Sequence, residues 1–126
     1  MVVLMDGKIR RAGVLACATL LVVLTSPSSF SQEPTVVRVT AERFTFTPSH
    51  IKVKRGTIVE IRLNSEDTNH GFHIVGSEFN TIIPKRGRGE ATVTFRADHA
   101  GRYTFECSKM CGAGHNFMRG TLTVEE

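Results

Sequence analysis

Gly101-Arg102-Tyr103-Thr104-Phe105-Glu106-Cys107-Ser108-Lys109-Met110-Cys111-Gly112-Ala113-Gly114-His115-Asn116-Phe117-Met118-Arg119-Gly120-Thr121-Leu122-Thr123-Val124 reads as a strand, a loop and a strand. Arg102–Glu106 is β-prone and runs directly into Cys107. Thr121–Val124 alternates polar with apolar, the period of a half-buried strand, and closes the domain. Between the two strands lie two thiols, an imidazole and a thioether within a dozen residues.

Working outward, the same signals recur upstream. Val36, Val37 and Val39 are β-branched, and Arg43-Phe44-Thr45-Phe46-Thr47 alternates until Pro48-Ser49 breaks it. Ile51–Lys54 alternates again and ends at an Arg55-Gly56 turn, and Ile58–Leu63 forms a further strand. Asn64–Asn69 is polar and irregular, a loop. Phe72–Val75 and Thr81–Ile83 are short strands, and Glu90–Arg96 places Ala91, Val93 and Phe95 on one face. Lys85, Arg86 and Arg88 in a glycine-rich turn read as a solvated hairpin tip. No segment has a convincing helical period and no repeat is present. About eight short strands with turns between them predict an all-β sandwich or barrel.

The first 31 residues differ in kind. Lys8, Arg10 and Arg11 precede an apolar run of 13 residues, Ala12–Leu24, interrupted only by Thr19. The small, polar stretch Thr25–Ser31 follows. That is the layout of a secretory signal peptide with cleavage before Gln32, and the run falls short of the roughly 20 residues of an untilted membrane span. A single N-terminal anchor is the rival reading. Cys17 precedes most of the apolar run, which argues against lipidation there. Residues 32–126 then form the exported domain, in the periplasm or on the outer face of the cytoplasmic membrane. The leader holds three of the sixteen Lys and Arg and one of the twelve Asp and Glu, so the formal charge of +4 falls to +2 in the domain. That balance does not point to nucleic acid.

The domain keeps two cysteines, Cys107 and Cys111. Soft sulfur ligands with imidazole suit copper. Cys111, His115 and Met118 match a mononuclear blue-copper set, which needs a second histidine. His70, between the Asn64–Asn69 loop and the following strand, is the best candidate. Cys107 is left over in that scheme. Two thiolates four residues apart can instead bridge two coppers, each with one histidine. Such a centre shares charge over both metals and has no open position for substrate, unlike a catalytic metal site.

The spacing C-x3-C-x3-H-x2-M resembles the binuclear copper (CuA) loop of cytochrome c oxidase subunit II. Asp67-Thr68-Asn69-His70-Gly71-Phe72 resembles the segment with that family's first histidine ligand, and Gly101-Arg102-Tyr103 and Gly120-Thr121-Leu122 also fit. The resemblance spans roughly Val36 to Val124. It implies a cupredoxin-like Greek-key β-sandwich. It also implies bridging thiolates at Cys107 and Cys111, one copper ligand each from His70 and His115, and weak ligation by Met118 and the Lys109 carbonyl. Phe72 would pack the site or carry electronic coupling. The chain departs from the family in three ways. Lys109 stands where many relatives carry an acid that helps bind magnesium against the catalytic subunit. Tryptophan, often an entry point for electrons, is absent. The two membrane helices of typical subunit II proteins have at most one short counterpart here.

Other uses of these residues account for fewer of them. A Cys107–Cys111 disulfide needs neither His115 nor Met118. A zinc site of Cys107, Cys111, His115 and His70 leaves Met118 without a role. His73 should point away from His70 across the strand. His50, after Pro48-Ser49, and His99, before Ala100-Gly101, read as solvated loop residues. The expected function is therefore electron transfer through a binuclear CuA centre. One electron would come from a c-type cytochrome or similar donor and pass to a terminal oxidase catalytic subunit or related acceptor. Oxidase activity would belong to a complex and not to the domain. A copper-delivery protein and a mononuclear blue-copper carrier are the alternatives.

Overall fold

The structure, a computed structural model, describes residues 32–126. The expected leader lies outside them. Among the described residues no helix is long and apolar enough to cross a membrane.

Nine strands follow in order: β1 Thr35–Glu42, β2 Thr45–Thr47, β3 His50–Lys54, β4 Ile58–Ser65, β5 His70–Ile74, β6 Asn80–Ile83, β7 Ala91–Arg96, β8 Gly101–Glu106 and β9 Arg119–Glu125. The only helical element among the described residues is one 3-10 turn, His115–Phe117. The strands form two sheets, ordered β2-β1-β4-β7 and β3-β9-β8-β5-β6. The β1–β4 and β3–β9 pairs are parallel and the remaining pairs antiparallel. The chain leaves one sheet after β2 and re-enters it at β4, which gives the crossed connectivity of a sandwich. The all-β expectation holds, with one strand more than the count of about eight.

Alternation explains the core. Val59, Ile61 and Leu63 of β4 face inward with no exposed surface, as do Phe72 and Ile74 of β5, Phe105 of β8 and Leu122 of β9. These inner faces meet between the sheets. Phe46, Phe72 and Phe105 form a trio with ring centroids 5.1–5.7 Å apart, Phe72 stacked on Phe105 and Phe46 edge-on to both. Such contacts add to the burial of three large rings.

Three local expectations change. Arg43–Thr47 is not one strand: β1 runs through Glu42, Arg43 and Phe44 turn, and β2 starts at Thr45. The Arg43 amide binds a carboxylate oxygen of Asp67 at 3.0 Å, and that tertiary bond outweighs the alternation. The strand expected from Phe72 starts two residues earlier, because His70 pairs with Ile83 and Gly71 with Ile82 on β6. His50 opens β3 because it pairs with Thr121.

Candidate metal centre

The end of the sandwich where β4 runs out, β5 begins, β8 ends and β9 starts gathers the sulfur and imidazole groups. The register puts them there. On β5, His70 shares the inner face with Phe72; on β8, Cys107 continues the inner face of Phe105. The Cys107 amide donates to the Met118 carbonyl at 3.0 Å, so the two ends of the Cys107–Met118 loop are pinned backbone to backbone. Inside the loop the 3-10 turn brings His115 back toward Cys111.

The Cys107 and Cys111 sulfurs lie 3.6 Å apart. That is far beyond a disulfide bond of about 2.05 Å, and both thiols are free and buried. His70 Nδ1 is 4.0 Å from the Cys107 sulfur, and His115 Nδ1 is 3.7 Å from the Cys111 sulfur. The Met118 sulfur lies 3.9 Å from that of Cys111, and the Lys109 carbonyl oxygen 3.1 Å from that of Cys107. For metal–sulfur bonds of about 2.3 Å and metal–nitrogen bonds of about 2.0 Å, the sulfur–sulfur and sulfur–nitrogen separations correspond to angles of roughly 100–140° at a shared ion. The donors therefore fit a metal without rearrangement of the frame. Among the described residues, the ligand atoms within 4.8 Å of one another belong to His70, Cys107 and Cys111. His115 stands outside that set, attached to the cluster at its Cys111 end.

The surroundings aim these groups. Asp67 Oδ1 lies 2.6 Å from His70 Nε2. An Nε2–H donated there leaves the Nδ1 lone pair facing the sulfurs, the usual way a carboxylate fixes a ligating histidine. Asp67 is itself held by the amides of Arg43 and Thr68, at 3.0 and 2.7 Å, and by the Ser65 hydroxyl. The Gly71 amide points at the Cys107 sulfur at 3.5 Å. A Cβ on Gly71 would come within 2.6 Å of the Lys109 amide nitrogen and collide with Ser108, so only glycine lets the loop lie across β5. Arg43 Nε–H donates to the Cys111 carbonyl at 2.8 Å. The Phe44 ring occupies the space a side chain at Gly112 or Gly114 would need.

Electrostatics follows this geometry. Burial opposes the charge on Asp67, but the hydrogen bonds from His70, Arg43 and Thr68 outweigh it and lower its pKa to about 2. Burial, reinforced by the adjacent Cys107, pushes the Cys111 thiol up to about 11, while the Arg43 charge works the other way. A small polar cleft lined by Glu106, Cys107, His115, Asn116 and Arg119 reaches the ligands from solvent.

The structure thus brings together all six groups expected from the sequence: His70, Cys107, Lys109, Cys111, His115 and Met118. His73 points to the other face, 3.8 Å from Glu106. His99 is exposed, and His50 is exposed and bonded to Ser49. Sequence reasoning missed the roles of Asp67, Arg43, Phe44 and Gly71. The Asp-x-x-His spacing was the signal available for Asp67. Arg43 lies 68 residues from Cys111 and gave none.

Comparison with known proteins agrees with this geometry. The cupredoxin-like domain family matches residues 14–124. Cytochrome c oxidase subunit 2 of Thermus thermophilus is 33% identical over 120 residues, covering 94% of this chain and 82% of the relative. A heme-copper terminal oxidase dimer contains a chain that superposes with a TM-score of 0.61 at 27% identity, over 76% of this chain and 68% of the other. The periplasmic domain of cytochrome oxidase subunit II from Bradyrhizobium japonicum superposes with a TM-score of 0.66 at 17% identity, over 73% and 84%, a likeness of fold.

Proposed function

The chain belongs to the cytochrome c oxidase subunit 2 family within the cupredoxin-like fold, and on that premise we propose that it is a one-electron carrier holding two copper ions. Cys107 and Cys111 bridge them, His70 and His115 each bind one, and Met118 and the Lys109 carbonyl are weak ligands. The observation that carries this reading is the two-ended cluster: two sulfurs 3.6 Å apart, with His70 against one and His115 against the other. A single tetrahedral ion would draw all four donors into one set, and His115 stands outside the compact group of three.

When bound, copper supplies a one-electron couple spread over both ions. The protein's own part is to hold the donors still. Asp67 orients His70, the Cys107–Met118 backbone bond closes the loop, and the inward-facing thiols stay away from bulk water. Of the ligands that would bind through a side chain, His115 lies nearest the surface, in the loop that also carries exposed Phe117 and Met110, 84% and 73% accessible. A donor docking there approaches a ligand through apolar surface. The donor is a c-type cytochrome or another redox protein, and the acceptor is a terminal oxidase catalytic subunit or a related acceptor. The domain works outside the cytoplasm, in line with the leader-like residues 1–31.

The test is to load residues 32–126 with copper under reducing conditions, then measure stoichiometry, absorption and electron spin resonance. Two coppers per chain and a hyperfine pattern shared over both nuclei are expected. One copper with a four-line signal refutes the binuclear reading. Cys107→Ser should abolish the shared signal; an unchanged spectrum refutes the bridging role of Cys107. Retention of copper against a mild chelator separates a carrier from a delivery protein.

A further inference from the structure

We propose that Arg43 is a positioning residue of the metal centre, one that latches both ligand-bearing segments together and uses its charge to favour the reduced state. The proposal rests on the reading of His70 and Cys111 as copper ligands.

The latch is one turn that touches two distant parts of the chain. The Arg43 backbone amide donates to Asp67 Oδ2 at 3.0 Å, and the other oxygen of that carboxylate holds His70. Its side-chain Nε–H donates to the Cys111 carbonyl at 2.8 Å. The next residue, Phe44, fills the space beside Gly112 and Gly114. The β1–β2 turn, carried by the four-stranded sheet, therefore braces the ligands carried by the five-stranded sheet. The same contacts break the alternation that would otherwise continue one strand from Arg43 to Thr47. A well-aligned bond of 2.8 Å from a charged donor is among the stronger kinds of hydrogen bond.

The charge matters separately from the bond. Among the described residues no ion pair involves the Arg43 guanidinium. No carboxylate is paired with the guanidinium, which lies one hydrogen bond from the backbone of a ligating cysteine; Asp67, bonded to the Arg43 backbone, acts on Cys111 in the opposite sense and more weakly. Reduction adds an electron to the centre, so a nearby cation stabilises the reduced form more than the oxidised one. At a partly screened distance of several ångströms this effect is about tenfold in the redox equilibrium constant, which is about 59 mV for one electron.

Three variants separate bond from charge. Arg43→Met removes both, Arg43→Lys keeps the charge without the Nε–H, and Arg43→Gln keeps an amide donor without the charge. In the copper-loaded protein the potential should fall by about 59 mV in the Met and Gln variants and stay near the wild-type value in the Lys variant. In the metal-free protein, exchange of the His115 amide, which donates to the Gly112 carbonyl at 3.1 Å, should rise about tenfold in the Met and Lys variants, as expected when a local tie is lost. An unchanged potential in Arg43→Met, or equal falls in the Lys and Gln variants, overturns the charge role. Unchanged exchange in both Met and Lys variants overturns the latch. If Arg43→Met does not fold, the Lys and Gln pair decides both points. Wild-type protein that fails to take up two coppers refutes the binuclear centre instead, and the exchange measurement on metal-free protein still decides the latch.

Discussion

Asp67→Asn removes one charge and nearly preserves the shape of the group that aims His70. In the wild type Oδ1 meets His70 Nε2 at 2.6 Å and Oδ2 accepts the Arg43 amide at 3.0 Å. Burial disfavours the carboxylate, yet its hydrogen bonds bring the pKa from 3.8 down to about 2. A folded-state pKa below the unfolded one contributes stability that is complete above about pH 4 and is lost as the pH falls toward 2. The gap corresponds to at most ~2.5 kcal/mol. Solvent reaches 26% of the Asp67 side chain, and screening brings the expected contribution to about 1 kcal/mol. Urea titrations of the metal-free protein should therefore show the wild type more stable than the variant at neutral pH, with the difference closing between about pH 4 and pH 2. Copper retention gives a second measure. Loss of the partner that orients a ligating histidine weakens metal binding by about 10–100-fold. Asparagine still offers an oxygen to Nε2–H, so Asp67→Asn belongs near the tenfold end and Asp67→Ala near the hundredfold end in chelator competition. Parallel pH curves for wild type and Asp67→Asn, together with equal copper affinity, would show that Asp67 does not hold His70.

Two further changes probe the loop. Gly71→Ala places a methyl group against Ser108 and the Lys109 amide, and a forced shift of backbone in a packed site should cost about 1–3 kcal/mol, read as a lower thermal midpoint of the metal-free protein; an unshifted midpoint would mean the loop moves aside freely. If copper binds Cys111 as a thiolate it must displace the proton of that thiol, whose pKa is raised to about 11, so apparent affinity should climb at least about tenfold per pH unit through the neutral range. Affinity independent of pH would show that the Cys111 thiolate already exists in the metal-free protein.

What could be read from the sequence divides along physical lines. Strands buried on one face announce themselves by alternation, so β4 and β7 were legible almost residue by residue. The ligand loop was legible because a sulfur, nitrogen and thioether set at fixed spacing has few other uses. His70 could be named as a partner because its loop precedes a strand at the right end of a sandwich. The bracing of the site was not legible. Arg43 and Phe44 continue the alternation of β1 and β2, and only a carboxylate 24 residues away and a carbonyl 68 residues away turn them out of a strand. The early start of β5 at His70 is likewise set by its partner Ile83, which local pattern does not reveal. Local period determines which residues face inward; long-range hydrogen bonds determine where strands stop.

The arrangement also separates the proposed ligands from the rim around them. His70, Cys107, Cys111 and Met118 are buried, whereas Lys109, Met110 and Phe117, from the same loop, are exposed. Lys109 contributes its backbone carbonyl toward Cys107 while its side chain stands in solvent. The identity of this side chain therefore leaves the donor atoms where they are and sets the charge that an approaching protein meets. Electron transfer through a fixed centre gains from such a division. Anchors such as the Asp67–His70 and Arg43–Cys111 bonds would hold the donors in place, and the rim can vary with the partner without moving a ligand. Copper binding should accordingly tolerate substitution at Lys109, and sensitivity to that position should appear in association with redox partners.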